Sequence, residues 1–238
     1  MRHIAFALVL VISIFLPGKL SAQTHYESHV HVGVHGGMAM SRITFTPAVK
    51  QKMLNDFTFG VAARYAEERH VGLMGEINVT RRGWCENFEE SPLQYSRTMT
   101  YLEMPIMTHI FFGPRNFKFF FNLGPQFCYM LSSAIDSNFD YANPTSVEGF
   151  PTDNRMTEQM TMKIKNKFDY GICASFGLEP IIGRRNSFTL EARYYFGLGN
   201  IYGAAKKDTF SSSRGMAITV TLAIFSVSSK LPNYFKII

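Results

Sequence analysis

Beyond residue 22 the chain lacks any run of 18 apolar residues, so no membrane-spanning helix is expected there. Cysteine is also scarce, because Cys85, Cys128 and Cys173 are too few for a disulfide framework. We place Cys85 in a loop. Cys128 and Cys173 fall on neighbouring strands, offset by about three residues, which is too far to bridge. All three are therefore predicted to be free thiols.

Strong charge is missing as well. The formal charge of +6 comes from basic residues scattered along the chain, so no nucleic-acid partner is expected. The first three residues are weakly basic, residues 4–16 are apolar, and small residues follow at Ser21 and Ala22. This order is typical of a cleaved secretory signal peptide. We predict a signal peptide at residues 1–22 and one domain at residues 23–238.

What the chain has in abundance is alternation of apolar and polar residues. In one block Phe168, Tyr170 and Ile172 alternate with Asp169 and Gly171, and seven further blocks follow the same pattern. Side chains of a strand point alternately to its two faces, so each block predicts a strand with one apolar face. The blocks are close to the roughly 9–11 residues that a tilted strand needs to cross a membrane.

The connections between blocks alternate in length. Residues 66–70, 113–116 and 180–186 form short connections, whereas the other four are about 15 residues or longer, as expected for outer-membrane barrels. The longest is residues 133–165. An even number of strands leaves both chain ends on the side of the short turns. We therefore predict an all-β fold, an eight-stranded antiparallel transmembrane β-barrel of the outer membrane, with both termini periplasmic.

Periodicity alone does not say which face lies inside, and a soluble lipocalin-like barrel would have its apolar face inward. The polar faces are rich in small residues that suit a narrow lumen, and the apolar faces carry more aromatic volume than an eight-stranded interior can hold. We therefore assign the apolar face to lipid. Aromatic residues near the block ends are predicted to form the interfacial girdles: Tyr65, Phe112, Phe119, Tyr129, Phe168 and Phe188.

Charged residues also fall on the polar faces. The parity of the blocks directs six of them into the lumen: Arg64, Glu76, Glu103, Asp169, Glu191 and Arg193. Paired carboxylates can perform acid–base chemistry, but an eight-stranded barrel is filled by its own side chains and buried charges there must pair. We predict a structural network of ion pairs that closes the lumen. Pro105 and Pro125 interrupt two strands and predict a bulge or a local break.

No catalytic, cofactor or metal site is predicted. His29 and His31 share a strand face, but no third ligand is evident, and zinc usually takes three or four. No histidine falls in a long loop, where an enzymatic barrel would need a base beside Asp136, Asp140 or Asp153. No small-molecule substrate is therefore expected.

Several segments resemble a known family. Residues 101–106 (Tyr-Leu-Glu-Met-Pro-Ile), residues 122–125 (Asn-Leu-Gly-Pro) and the stretch from Glu76 to Gly83 are similar to the PorT-type outer-membrane β-barrel family of Bacteroidetes. The resemblance implies a non-enzymatic accessory of protein export by the type IX secretion system, which secretes proteases and adhesins. It implies other secretion-system subunits and outer-membrane lipid as partners. The alternative is a general surface barrel, with an adhesive or structural role or a narrow diffusion pore.

Contact with partners would use the water-facing parts of such a barrel. These are the long loops, the short turns and residues 226–238. The last segment carries apolar side chains beyond the needs of the barrel: Leu231, Tyr234, Phe235, Ile237 and Ile238. We therefore expect it to be a periplasmic docking segment.

Overall fold

The computed structural model describes residues 29–66, 70–89, 91–151, 156–182, 186–203, 210 and 212–230. The predicted signal peptide and residues 231–238 lie outside the described residues. These described residues form nine strands: β1 His29–Thr46, β2 Gln51–Lys52, β3 Leu54–Ala66, β4 Val71–Glu86, β5 Tyr95–Phe112, β6 Phe117–Ser137, β7 Phe168–Ile182, β8 Asn186–Gly197 and β9 Ser212–Lys230.

Eight of these strands close into a ring. The order is β1, β3, β4, β5, β6, β7, β8 and β9, and β9 returns to pair with β1, always antiparallel. The closing seam is long, because β1 pairs with β9 from His29–Lys230 to Thr46–Ser212. Strand β2 stands outside the ring and pairs with the last two residues of β4. The predicted eight-stranded antiparallel barrel is confirmed.

The two ends of the barrel differ. At one end, which we call the turn end, the connections are residues 67–70, 113–116 and 183–185. The first residue of β1, His29, and the last residue of β9, Lys230, lie at this same end. At the other, here the loop end, the connections are residues 47–53, 87–94, 138–167 and 198–211. Two of these loops are shorter than predicted, because the strands continue beyond the apolar blocks. Cys85 accordingly lies in β4, so its prediction as a loop residue was wrong.

The two faces of the sheet have opposite environments. Ile172 and Phe176 on β7 are 50% and 67% exposed, whereas Cys173 between them is fully buried. The predicted assignment of the apolar face to the outside is confirmed. Five of the six predicted girdle residues are exposed, and Tyr65 is half-buried. Phe112 and Phe119 stack at the turn end, and Phe168 stacks on Phe127 at the loop end.

The prolines break the ladder without shifting it. Between β5 and β6, pairs are formed at Pro105–Gln126 and at Thr108–Leu123 in the same register, but none at the two positions between them. Pro125 lacks the N–H that a ladder bond would need. The predicted local break is confirmed. The one register shift of this strand pair lies elsewhere, between Thr100 and Tyr101.

Close packing of the backbone explains a glycine at the seam. A Cβ at Gly37 would lie 1.9 Å from the carbonyl oxygen of Val220 on β9. No side chain fits at this position without movement of the backbone, so only glycine allows β1 and β9 to approach this closely. The cysteines are free, as predicted. Cys173 lies opposite Gly124, four residues from Cys128 along β6.

Two short helical segments lie in the loop between β6 and β7. Pro144–Ser146 forms one 3-10 turn, and Glu158–Thr161 forms one turn of α-helix. Within the described part of the chain, no helix has the length and apolar character to cross a membrane.

Candidate functional site: the barrel interior

The interior nearest the turn end contains a buried ion pair, here the turn-end cluster of Arg64, Glu179 and His109. The guanidinium of Arg64 donates two parallel hydrogen bonds of 2.8 Å to the carboxylate of Glu179. It also lies 3.0 Å from Nε2 of His109. Because a guanidinium can only donate, Nε2 accepts and the ring proton sits on Nδ1, which bonds Asn122 at 2.6 Å. His109 is therefore a neutral ring that links Arg64 to β6.

A second group, the middle cluster, is centred on Arg193. Its guanidinium bonds both oxygens of Glu76 at 2.6 and 2.7 Å, and it bonds Glu191 through Nε and Nη2 at 2.8 and 2.6 Å. Asn78 donates to Glu76 at 2.8 Å, and His35 lies 3.9 Å from the same carboxylate. One arginine thus ties β4 to β8 across the lumen.

A third group, the upper cluster, lies nearer the loop end. Arg82 donates to Asp169 at 3.0 Å and lies 3.4 Å from Glu103, without hydrogen-bond alignment to that carboxylate. Its guanidinium is sandwiched between the rings of Tyr101 and Tyr195, at 4.1 and 4.4 Å from their centroids. These cation–π contacts stabilise a charge that few hydrogen bonds reach. The Tyr195 hydroxyl also donates to Asp169 at 3.0 Å.

Little space remains between the middle and upper clusters. A cavity of about 10 Å³ lies there, lined by residues that include Glu103, Arg193, Tyr195 and His35. This is about the volume that holds one water molecule. It is far smaller than the several hundred Å³ typical of a ligand pocket.

The loop end is closed by an apolar cluster, here the loop-end plug, formed by Phe45, Trp84, Met160, Tyr202 and Phe210. All five are at most 4% exposed. Phe45 lies at its centre, with ring centroids 5.4 Å from Trp84 and 5.0 Å from Phe210. Strand residues from β1 and β4 therefore pack directly against residues of the 138–167 and 198–211 loops.

Hydrogen bonds hold the 138–167 loop in this position. The hydroxyls of Tyr95 and Tyr202 donate to the carbonyl oxygens of Met160 and Gln159, each at 2.9 Å. The Gln159 amide donates to Glu86 at 2.8 Å, and Arg97 donates to the carbonyl oxygen of Met162 at 2.6 Å. The one-turn helix is thus anchored to β4, β5 and the following loop.

The structure places all six of the charged residues assigned to the lumen inside the barrel, each at most 8% exposed. It brings Glu76, Glu191 and Arg193 together, and Glu103 with Asp169 around Arg82. Arg64 contacts none of the other five. Its carboxylate partner is Glu179, which was not among the six predicted residues.

Two residues of the network were missed because the predicted strands ended too early. Glu179 has the same parity as Asp169 and Cys173 on β7, and Arg82 has the same parity as Glu76 and Thr80 on β4. The parity of both residues assigns them to the lumen when the predicted strands are extended to the observed ends of β4 and β7. Of the residues that the structure describes, no three potential ligands come close enough to hold a metal ion.

Comparison with known proteins agrees with this geometry. The family model described as "Outer membrane protein beta-barrel domain" matches residues 21–203 of the chain. The chain belongs to this family. It is therefore a protein of the outer membrane, and the exposed apolar wall of the barrel is its lipid-facing surface.

Solved structures of other small outer-membrane barrels are similar at low identity. OprG of Pseudomonas aeruginosa shares 12% identity, with a TM-score of 0.49 over 84% of this chain and 97% of that one. Outer membrane protein W of E. coli shares 14%, with a TM-score of 0.44 over 86% and 100%. Neisserial surface protein A shares 10%, with a TM-score of 0.45 over 84% and 99%. A comparison with curated proteins gave no significant match.

Proposed function

We propose that this protein is a closed, non-enzymatic outer-membrane barrel that acts through contacts with other proteins. The observation that carries this proposal is the filled interior. Ion pairs occupy the lumen at three levels, and the loop-end plug packs the mouth. Such a barrel offers its surroundings only its loops, turns and outer wall, so contact with partners is the function that this geometry supports best.

Within that class, the chain is proposed to be a PorT-like accessory of the type IX secretion system, needed for export of proteases and adhesins. The support is the resemblance carried by residues 101–106 and 122–125. These two segments are neighbours on β5 and β6, where the ladder is broken beside Pro105. The partners would then be other secretion-system subunits. Eight strands leave no room for a folded cargo, so another subunit would provide the transport path.

The barrel is proposed to lie with its loop end outside the cell and its turn end in the periplasm. The support is the asymmetry of the connections, since outer-membrane barrels have short periplasmic turns and longer outer loops. His29 and Lys230 pair at the turn end, so both ends of the barrel sequence would be periplasmic. Residues 226–230 of the predicted docking segment belong to β9, so the proposed docking segment is reduced to residues 231–238.

A general surface barrel is the second candidate. The observation that favours it is the long 138–167 loop, which is folded against the barrel and exposes Asn143, Thr145 and Glu148 at the loop end. An adhesive or structural role would use such a surface. The filled lumen argues against the other variant, a narrow diffusion pore.

Deletion of the gene tests the secretion role. The proposal expects secreted proteases and adhesins to disappear from the medium and to return when the full-length gene is restored. The amounts of other outer-membrane proteins are the control, because they would also fall if the barrel had a general assembly role. Unchanged export in the deletion strain would contradict the secretion role and leave the surface barrel.

A truncation tests the docking segment. The cut belongs after Lys230, because Ser229 and Lys230 pair with Val30 and His29 and are part of the barrel. The shortened protein is expected to insert into membranes but to lose co-purification of its partners. Normal co-purification and export would remove the segment from the proposal.

A further inference from the structure

Two arginines lie side by side on the outer wall of the barrel, at the seam where the sheet closes. Arg42 on β1 pairs with Met216, and Arg214 on β9 pairs with Thr44. Both arginines are exposed, while Ser41, Ile43, Ser213 and Gly215 beside them are buried. Both side chains therefore point outward. In this diagonal arrangement their Cβ atoms are about 7–8 Å apart or less.

The pair lies at the edge of the apolar wall. Met38 and Val220 pair across the same seam and are 61% and 41% exposed. Arg42 is four residues further toward the loop end, which is about 13 Å along the strand and about 9 Å along the barrel axis at a 45° tilt. The outward residues beyond it on β1 are Thr44 and Thr46. The arginines thus lie where hydrocarbon gives way to lipid headgroups.

Neither arginine has a partner of opposite charge in the described part of the chain. Arg81, which also faces outward near the loop end, differs in this respect. It lies 3.3 Å from the Asp56 carboxylate and 5.2 Å from the centre of the Phe57 ring. Two neighbouring guanidinium groups repel each other, and a membrane interface screens them less than water does. The seam therefore favours an anion from outside the chain.

We propose that Arg42 and Arg214 bind the phosphate of an anionic membrane lipid, with a phosphomonoester as the preferred headgroup. Guanidinium groups bind phosphate oxygens in pairs, and a dianion neutralises both charges at once. The Thr44 hydroxyl lies beside both arginines. Among the described residues it donates only to the weakly accepting sulfur of Met216, so it can turn to a phosphate oxygen.

The wall below the arginines favours a lipid over free phosphate. Val34 and Leu222 on the two strands of the seam are 60% and 66% exposed. Together with Met38 and Val220 they form a continuous apolar strip toward the turn end. Acyl chains of a lipid whose phosphate is held by Arg42 and Arg214 would lie along this strip.

Native mass spectrometry of the folded full-length chain in detergent tests the site. Phosphatidic acid supplies a phosphomonoester, and phosphatidylglycerol supplies a diester with a single charge. The wild type is expected to bind phosphatidic acid more tightly. The double variant Arg42→Gln/Arg214→Gln is expected to bind phosphatidic acid about 30-fold more weakly. Each of the two arginines near the membrane surface contributes a similar share of the binding free energy, and the variant loses both shares.

The matched control is Lys163→Gln/Lys167→Gln. It removes the same charge from two exposed residues at the loop end, away from the seam, and should leave the affinity unchanged. Heat-modifiable gel mobility shows that each variant is folded. The proposal is overturned if the arginine variant binds phosphatidic acid as the wild type does, or if the lysine control loses as much affinity. Displacement of the lipid by an equal concentration of inorganic phosphate would assign the arginines to free phosphate and contradict a lipid site.

Discussion

Individual arginines decide how the interior of the barrel is filled, because each guanidinium ties strands together across a buried space. Arg64, Arg82 and Arg193 are all at most 8% exposed. Each has at least one carboxylate within 3.0 Å. A buried charge that loses its partner keeps its desolvation cost without the compensating attraction. Changes at these positions should therefore have large effects on stability.

Arg64→Met leaves the carboxylate of Glu179 buried without its guanidinium. The free energy of unfolding should fall by about 3–5 kcal/mol, the usual result of breaking a buried ion pair on one side. Urea unfolding of the refolded barrel in micelles measures this change. The double variant Arg64→Met/Glu179→Leu should recover much of the loss, because no unpaired charge remains.

The control for this pair is Arg115→Met, which changes an exposed arginine in the turn at residues 113–116. It should change the unfolding free energy little. If Arg64→Met is as stable as the control, the pair does not stabilise the interior as described.

On the lipid-facing wall, adding a charge should destabilise the barrel, whereas in the lumen removing one does. Ile172 is 50% exposed in the middle of the apolar wall, opposite Pro125 on β6. Ile172→Arg should cost about 2–4 kcal/mol of stability, because a cation near the bilayer midplane loses its hydration. The measurement is urea unfolding in lipid vesicles. Asn143→Arg in the exposed 138–167 loop should cost almost nothing. Equal stability of the two variants would mean that the inside and outside of the sheet are assigned wrongly.

At the scale of elements, the strands extend well past the membrane-spanning part. β5 begins at Tyr95 and β6 ends at Ser137, although only β5 residues from Leu102 and β6 residues to Leu131 belong to the apolar blocks. The extensions form a cup at the loop end, and the 138–167 loop packs into it. The loop is therefore part of the core.

The hydroxyls of Tyr95 and Tyr202 anchor that loop, and their removal should loosen it. The double variant Tyr95→Phe/Tyr202→Phe should lower the free energy of local opening by about 1–3 kcal/mol, from two hydrogen bonds of about 0.5–1.5 kcal/mol each. Hydrogen exchange of residues 156–162 should become faster, while exchange in the barrel strands stays the same. Tyr170→Phe, on the lipid-facing wall, is the control. Unchanged exchange in the double variant would contradict an anchoring role.

The alternation of residues predicted the barrel, its strand order and the lipid-facing side, because lipid and lumen impose opposite demands on successive positions. It did not predict the strand ends. Beyond the hydrocarbon layer at the loop end the outward positions no longer face lipid tails, so residues such as Arg42 and Thr44 give no apolar signal although they still pair. This is why Arg82 was left out of the network. Glu179, near the turn end of β7, was left out because residues 180–186 were predicted to be a connection. The loop-end plug was also missed, since Phe45, Trp84 and Tyr202 come from distant parts of the chain.

At the scale of the whole molecule, the barrel resembles a solid cylinder with a polar core and an apolar wall. The turn-end, middle and upper clusters follow one another along the axis, and the loop-end plug completes the series. Each level is held by side chains from strands on different sides of the ring. The proposed function follows from this filling, since a closed barrel acts through its surfaces.

Single-channel recording in planar lipid bilayers tests the closed interior most directly. The purified barrel is inserted at low density, and the current is followed over the range of voltages that the bilayer tolerates. Because four packed levels block the lumen, insertion confirmed by heat-modifiable mobility should produce no steady conductance above that of a protein-free bilayer. Stable, uniform current steps from the wild-type protein would show that ions cross the interior and would contradict the account of a closed barrel.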